Sequence, residues 1–198
     1  MKKYNYQNIL KEVKRIVLQA NNAKANKYGP TVWPYHLEIV AFYSLKLAKK
    51  LKADAEVLEL AAYLHDYASL INFKNAERHH IIGAQEAKKI LTNLGLPKEK
   101  IMAVSQCILN HRGSVILKKE TTEEKILASA DAMSHFSCIP DMLFLAYNIH
   151  KLETYEGAVW LKNKLERGWN KIMPEGQKII KSKKDLFYKV LDQVLKIE

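Results

Sequence analysis

Apolar residues recur at three- and four-residue intervals along most of the chain, the spacing of one buried helix face. Ile9, Val13, Ile16 and Val17 share such a face and predict an amphipathic helix from Asn5 to about Ala25. The stretch NKYGPTVWP breaks it, and Pro34 suits the first turn of a second helix running to about Leu51. Asp54 is a good N-cap for a third helix, containing VLELAAYLHD, that ends near His65. YASLINFKNAERHH reads as a connection or a short helix. Helical spacing resumes from Gly83 to Leu94 and stops at Gly95, and Pro97 opens a fifth helix reaching about Asn110, before RGS. Thr121 and Glu124 stand at capping-box spacing and start a sixth. Pro140 interrupts, and two further helices are predicted, from Asp141 to about Trp169 and from Pro174 to the end. There is no strand-turn-strand signal, repeat or linker-like segment. The pattern predicts one all-α domain over 1–198, its core in 34–137 and the helices of 141–198 packed on it.

Composition narrows the class. With 198 residues, 48% apolar, and only seven glycines and five prolines, the chain can bury a sizeable core and has few helix breakers. No apolar stretch approaches the roughly 20 residues needed to span a bilayer. The N-terminus, MKKYNYQNILKEVKRIV, has the lysines of a signal peptide but is polar and amphipathic beyond them. A cytoplasmic protein is expected. Cys107 and Cys138 stand alone in apolar helical contexts and are expected as buried thiols. The net charge of +11 raises nucleic acid as a partner. The lysines are nevertheless spread over nearly every helix, as in KKLK, AKKIL, LKNKLERGWNK and KSKKDLFYK, largely opposite the apolar stripes. They read as a solvated surface with a general pull on anionic substrates, which makes nucleic acid the less favoured partner. Self-association stays open.

The polar residues that do not fit a core carry the chemistry. His36 lies in the first turn of the second helix, His65 and Asp66 end the third, and His79 and His80 precede the fourth. His111 ends the fifth, and Asp131 lies inside the sixth. Each helix thus brings one or two metal-capable side chains near an end, which suits a ligand site built between helices. Asp131 is flanked by Ala128, Ser129, Ala130 and Ala132, so its helix can pack closely and bury the carboxylate. A buried carboxylate needs a cation or several donors. His65 and Asp66, as neighbours on a helix, diverge by about 100°, which fits adjacent positions around an octahedral ion better than a tetrahedral cage. Singly, His36 also reads as a helix-end histidine and Asp66 as a turn residue.

As an ordered set, a histidine, His-Asp about thirty residues on and a distant Asp resemble the HD superfamily of metal-dependent phosphohydrolases. HLEIVAFYSLKLAKKLKADAEVLELAAYLHD resembles the family's first half, and HHIIGAQEAKKIL, VSQCILNHR and EEKILASADAMSHF resemble its later segments in order. The likeness is greatest to small single-domain bacterial and archaeal members, and WLKNKLERGWNKIMPEGQKII extends it more loosely. The resemblance implies an HD-type bundle with a divalent ion (Mn, Co, Ni, Fe, Mg or Zn) held between helices by His36, His65, Asp66 and Asp131. It implies that His79 and His111 hold a second ion or contact the substrate phosphate. His79 is preferred because family members place this histidine four residues before the Gly-Ala or Ser-Ala pair, here Gly83-Ala84, with His80 as the alternative. Arg112 is a candidate phosphate contact by position and charge, and equally a solvated loop arginine. The chain departs from the pattern in having Ser69 where some branches have lysine, Ile39 where an arginine is frequent, and no GYP segment.

The implied reaction is hydrolysis of a nucleotide or other small phosphate ester by metal-activated water, with Asp66, His79 and His111 as catalytic residues. Tyr67, Trp33 and Tyr35 read as packing, with base stacking the lesser alternative. Two rival readings are a metal-binding sensor or nucleic-acid-associated module without turnover, and a di-iron oxygenase on the same scaffold.

Overall fold

The computed structural model describes residues 4–112 and 119–196, whose regular structure is entirely helical, with no strand among them. The chain runs α1 (Tyr6–Asn21), α2 (Glu38–Leu51), α3 (Ala55–Leu64), α4 (Tyr67–Ile71), α5 (His79–Asn93), α6 (Lys98–Asn110), α7 (Thr122–Ser137), α8 (Ile139–Phe144), α9 (Thr154–Lys171) and α10 (Pro174–Leu195). The last helix was expected to reach the chain end, but residues 197–198 lie outside the described part, as does most of the RGS segment.

The bundle is organised around α7. This helix is buried on nearly every face, and its small residues Ala128, Ser129, Ala130 and Ala132 let α2, α6, α9 and α10 approach it. α3 packs against α2 and α6, and α5 lies along α6. Leu37, Leu58, Leu64, Ile108 and Ile126 fill the space between them without solvent exposure. Gly83 lets α5 come close to the end of α3: a Cβ there would stand 3.3 Å from the His65 carbonyl oxygen and 3.4 Å from Ile108. The first residue of α5, His79, comes to lie against Asp66 and His111.

Several predicted boundaries are corrected. α1 ends at Asn21 rather than near Ala25 because an asparagine-built turn replaces its last coil. The Asn26 amide donates to the carbonyls of Asn21 (2.8 Å) and Gly29 (2.9 Å), and the Asn21 amide to that of Pro30 (2.9 Å). α5 starts at His79, four residues before the predicted Gly83. A 3₁₀ turn, Phe73–Arg78, opened by Asn72 accepting from the Lys74 N–H, feeds straight into it. The helix expected over Asp141 to Trp169 is two helices. α8 continues through a wide turn, Leu145–Ile149, and the chain reverses at Lys151 with φ of 55° before α9 begins. No proline or glycine marks that break. Cys107 is buried as expected, whereas Cys138, at the cap between α7 and α8, is only half-buried.

The two predicted caps are present. Thr121 Oγ1 accepts from the Glu124 N–H at 3.2 Å. The Glu124 carboxylate is buried and takes the Asn110 amide at 2.6 Å, so the end of α6 and the start of α7 are tied together beside His111. Asp54 accepts from the Glu56 and Val57 N–H groups at 3.0 and 3.1 Å and pairs with Lys100 at 2.9 Å. Burial works to raise its carboxyl, but Lys100 and the two N–H donors outweigh it and hold the group below its ordinary value. That contribution is complete above about pH 4 and disappears as pH falls through the depressed value. Asp54→Ala should therefore cost about 1 kcal/mol in urea unfolding at pH 7, with wild type and variant converging as pH falls through that depressed value. A gap that stays constant with pH would refute the assignment.

Candidate metal centre

Six side chains from five separate segments converge at one end of the bundle. His36 comes from the wide turn Trp33–Leu37 that leads into α2, and His65 closes α3. Asp66 opens α4, His79 opens α5, His111 follows α6, and Asp131 projects from the middle of α7. His36, His65 and His111 are buried, as is Asp131.

The hydrogen bonds behind the imidazoles set what they present in front. His65 Nδ1 donates to the Ala62 carbonyl at 2.8 Å, His79 Nδ1 to Ala76 at 2.6 Å, and His111 Nδ1 to Ile108 at 2.6 Å. Ser134 Oγ donates to the Asp131 carbonyl at 2.6 Å, which leaves its oxygen to accept from His36 Nδ1 at 2.9 Å. All four rings thus carry hydrogen on Nδ1 and turn Nε2 inward as a lone pair. Those lone pairs meet: His36 and His65 Nε2 are 3.1 Å apart, and so are His79 and His111 Nε2. Two lone pairs at that distance repel unless a proton or a cation lies with them. Backbone carbonyls that fix the tautomer of a ring are the usual support for metal-binding histidines.

The carboxylates complete the donor set. Asp66 Oδ2 stands 3.2 Å from His36 Nε2 and 3.4 Å from His65 Nε2, while its Oδ1 stands 3.4 Å from His79 Nε2. Asp131 Oδ1 faces His36 and His65 at 3.8 and 3.9 Å. Two overlapping groups, His36 with His65 and Asp131, and His65 with Asp66 and His111, each bring their donor atoms close enough to hold one ion. The electrostatics call for positive charge at this point. Burial opposes a charged His65, yet the Asp66 carboxylate and then Asp131 push its imidazole up to about 9. His111 is held well below its ordinary value, by burial first and then by His65 and His79. Imidazole nitrogens and carboxylate oxygens in this mixture suit a divalent first-row metal.

The centre opens into a cavity of about 830 Å³. Of the residues expected at the site, His36, Asp66, His79, His111, Arg112 and Asp131 line it, and His65 lies just behind. His80 is brought elsewhere: it is turned about 100° around α5, buried, and has an Nδ1 without a hydrogen-bond partner among the described residues. Arg112 is held by Glu77, through the Glu77 backbone carbonyl and through its carboxylate at 2.7 Å. Tyr67, Trp33 and Tyr35 do not face the cavity. Trp33 stacks on Tyr63 at 5.4 Å, and the cavity's aromatic residues are Tyr28, Phe73, Phe144 and Trp160.

Among the cavity residues that were not singled out from the sequence, four stand on α7 and α9 close to the metal centre or in line with it. His135, one turn after Asp131, stacks on His36 with centroids 5.6 Å apart and points Nε2 at Asp131 Oδ1, 3.8 Å away. The other three, Lys164, Arg167 and Lys171, come from α9. Lys171 Nζ donates to Asp131 Oδ2 at 2.6 Å and to the His111 carbonyl at 3.2 Å. Lysines of LKNKLERGWNK were read as solvated surface, and for Lys164 and Lys171 this is corrected. Their three- and four-residue spacing with Arg167 was the available signal, masked by the abundance of lysine elsewhere.

A family model described as HD domain matches residues 35–135, half of the chain. Ribonuclease Y of Rubrobacter xylanophilus is 30% identical over 109 residues, covering 55% of this chain and 19% of that protein. An uncharacterized protein of Clostridium beijerinckii is 30% identical over 95 residues, 48% of this chain and 57% of the relative. The chain therefore spans about a fifth and just over half of these two relatives. The crystal structure of a predicted HD superfamily hydrolase from an uncultured Thermotogales bacterium shares the fold, with a TM-score of 0.54 at 22% identity over 79% of this chain and 85% of that one. The matched segment contains the histidines and aspartates that converge here, a set able to hold a metal ion, and the chain belongs to the HD domain family.

Proposed function

We propose that this chain hydrolyses a small phosphate ester, a nucleotide or a compound like it, with a divalent ion held by His36, His65, Asp66 and Asp131. The observation that carries the reading is Asp66, whose two oxygens face different imidazole pairs at the floor of a cavity with a cationic wall. A bound divalent ion would acidify a coordinated water and withdraw charge from a phosphoryl oxygen. The chain's own groups do the rest. Asp66 orients the attacking water, and the lysine and arginine side chains of the cavity neutralise the phosphoryl oxygens. His79 and His111 present Nε2 lone pairs rather than N–H groups, which supports a second ion there over direct donation to phosphate.

Elemental analysis of the purified protein, followed by assay against nucleoside mono-, di- and triphosphates with added Mn, Co, Ni or Mg, tests the proposal. One or two ions per chain together with phosphate release is expected. Metal without turnover on any of them would overturn the hydrolase reading in favour of a sensor. A nucleic-acid strand is the second reading, favoured by the ribonuclease Y likeness and the net charge of +11. It requires oligonucleotide binding that weakens steeply with salt.

A further inference from the structure

α9 lies outside the segment that matches the HD domain, yet it supplies one whole side of the cavity. Trp160, Lys164, Arg167 and Lys171 recur at intervals of four, three and four residues, so they form one stripe along the helix. Lys171, at one end, is anchored to Asp131 in the metal centre. Trp160, at the other, packs against His150 with centroids 4.7 Å apart, and the Lys164 ammonium lies 5.8 Å from its ring. Between Lys164 and Lys171 the helix rises about 10 Å, longer than a single phosphoryl group.

The stripe has spare positive charge. Among the described residues, neither Lys164 nor Arg167 has an ion-pair partner. The acidic groups that line the same cavity are largely engaged: Glu77 by Arg112, Asp131 by Lys171, and Asp66 by the imidazoles. Asp141 also lines the cavity and has no ion-pair partner among the described residues. Two unmatched cations in a row, starting from a metal centre and ending at an aromatic ring, form a linear site for an anion with several charges along its length.

Resting on the hydrolase reading for its orientation, we infer that α9 is a track for a condensed phosphate chain, with Lys171, Arg167 and Lys164 along successive phosphoryl groups and Trp160 and His150 receiving whatever is attached to the far end. The terminal phosphoryl group lies at the metal centre. Two ligand sources share this chemistry, an inorganic polyphosphate and a nucleoside polyphosphate, and they differ in whether the aromatic end is occupied.

Calorimetry on the manganese-loaded full chain, with orthophosphate and with imidodiphosphate, whose P–N–P bridge resists cleavage, reads the track without turnover. Wild type should bind imidodiphosphate at least about tenfold more tightly than orthophosphate. The double variant Lys164→Met, Arg167→Met should reduce that ratio below about threefold with its metal content unchanged. A wild-type ratio near one, or a ratio that survives in the double variant, overturns the track. Trp160→Ala should weaken adenylyl imidodiphosphate and leave imidodiphosphate unaffected. Equal retention of both would refute the aromatic end and assign the track to inorganic chains. A protein that keeps the chain-length preference but hydrolyses nothing refutes the hydrolase reading alone. Hydrolysis of a monophosphate with no such preference refutes the track alone.

Discussion

Asp66→Ala should abolish both metal binding and hydrolysis, with turnover falling by on the order of 10³-fold or more, equivalent to about 4 kcal/mol of transition-state stabilisation. Asp66 is the one carboxylate that faces both imidazole pairs, through Oδ2 toward His36 and His65 and through Oδ1 toward His79. Its loss leaves four Nε2 lone pairs and a single aspartate, Asp131, one of whose oxygens is already taken by Lys171. The fold should survive the change. Asp66 is the cap residue of α4, but its side chain makes no capping hydrogen bond there, so no helix end loses a partner. Far-ultraviolet circular dichroism should be unchanged while elemental analysis shows the ion gone. An Asp66→Ala protein that retains a full complement of metal and measurable turnover would remove Asp66 from the centre.

Lys171→Met should have the largest effect on stability. Lys171 and Asp131 are each 11% exposed in their side chains and pair at 2.6 Å. Burial works to raise the Asp131 carboxyl, but Lys171, followed by His135, holds it well below the carboxylate range. Removing one partner of a buried pair strands the other charge and costs about 3 kcal/mol or more. For a domain of this size that lowers the melting temperature by roughly 6–12 °C. Saturating manganese should recover part of the loss, because an ion at Asp131 supplies the missing positive charge and binds only the folded state. Equal melting of variant and wild type in chelator would show that the pair contributes nothing. A deficit that manganese leaves untouched would place Asp131 outside the metal centre.

Much of this architecture is legible along the chain because its causes are local. Asp54 and Thr121 were identified as caps from spacing alone, since an N-cap is satisfied within three residues of itself. The small residues around Asp131 announced a tightly packed helix, and that helix is the buried centre of the bundle. The ends of α1 and α8 were misplaced for the complementary reason. Asn21 and Asn26 stop α1 by bonding to carbonyls up to nine residues away, and Lys151 turns the chain with no proline or glycine to mark it.

By itself, then, the sequence determined an all-α chain, through periodicity, and the ordered histidines and aspartates, whose resemblance to a known family pointed to the family that the match over residues 35–135 shows. Only the tertiary structure decided which atoms those residues present. Carbonyls of Ala62, Ala76 and Ile108 turn three imidazoles so that Nε2 points inward, and Ser134, 98 residues from His36, does the same for the fourth. It also decided which lysines matter. In a chain with 32 lysines and arginines, Lys164 and Lys171 look like any others. Packing of α9 against α7 turns them into the cavity and sets Lys171 on Asp131, where a charge is worth more because less solvent screens it.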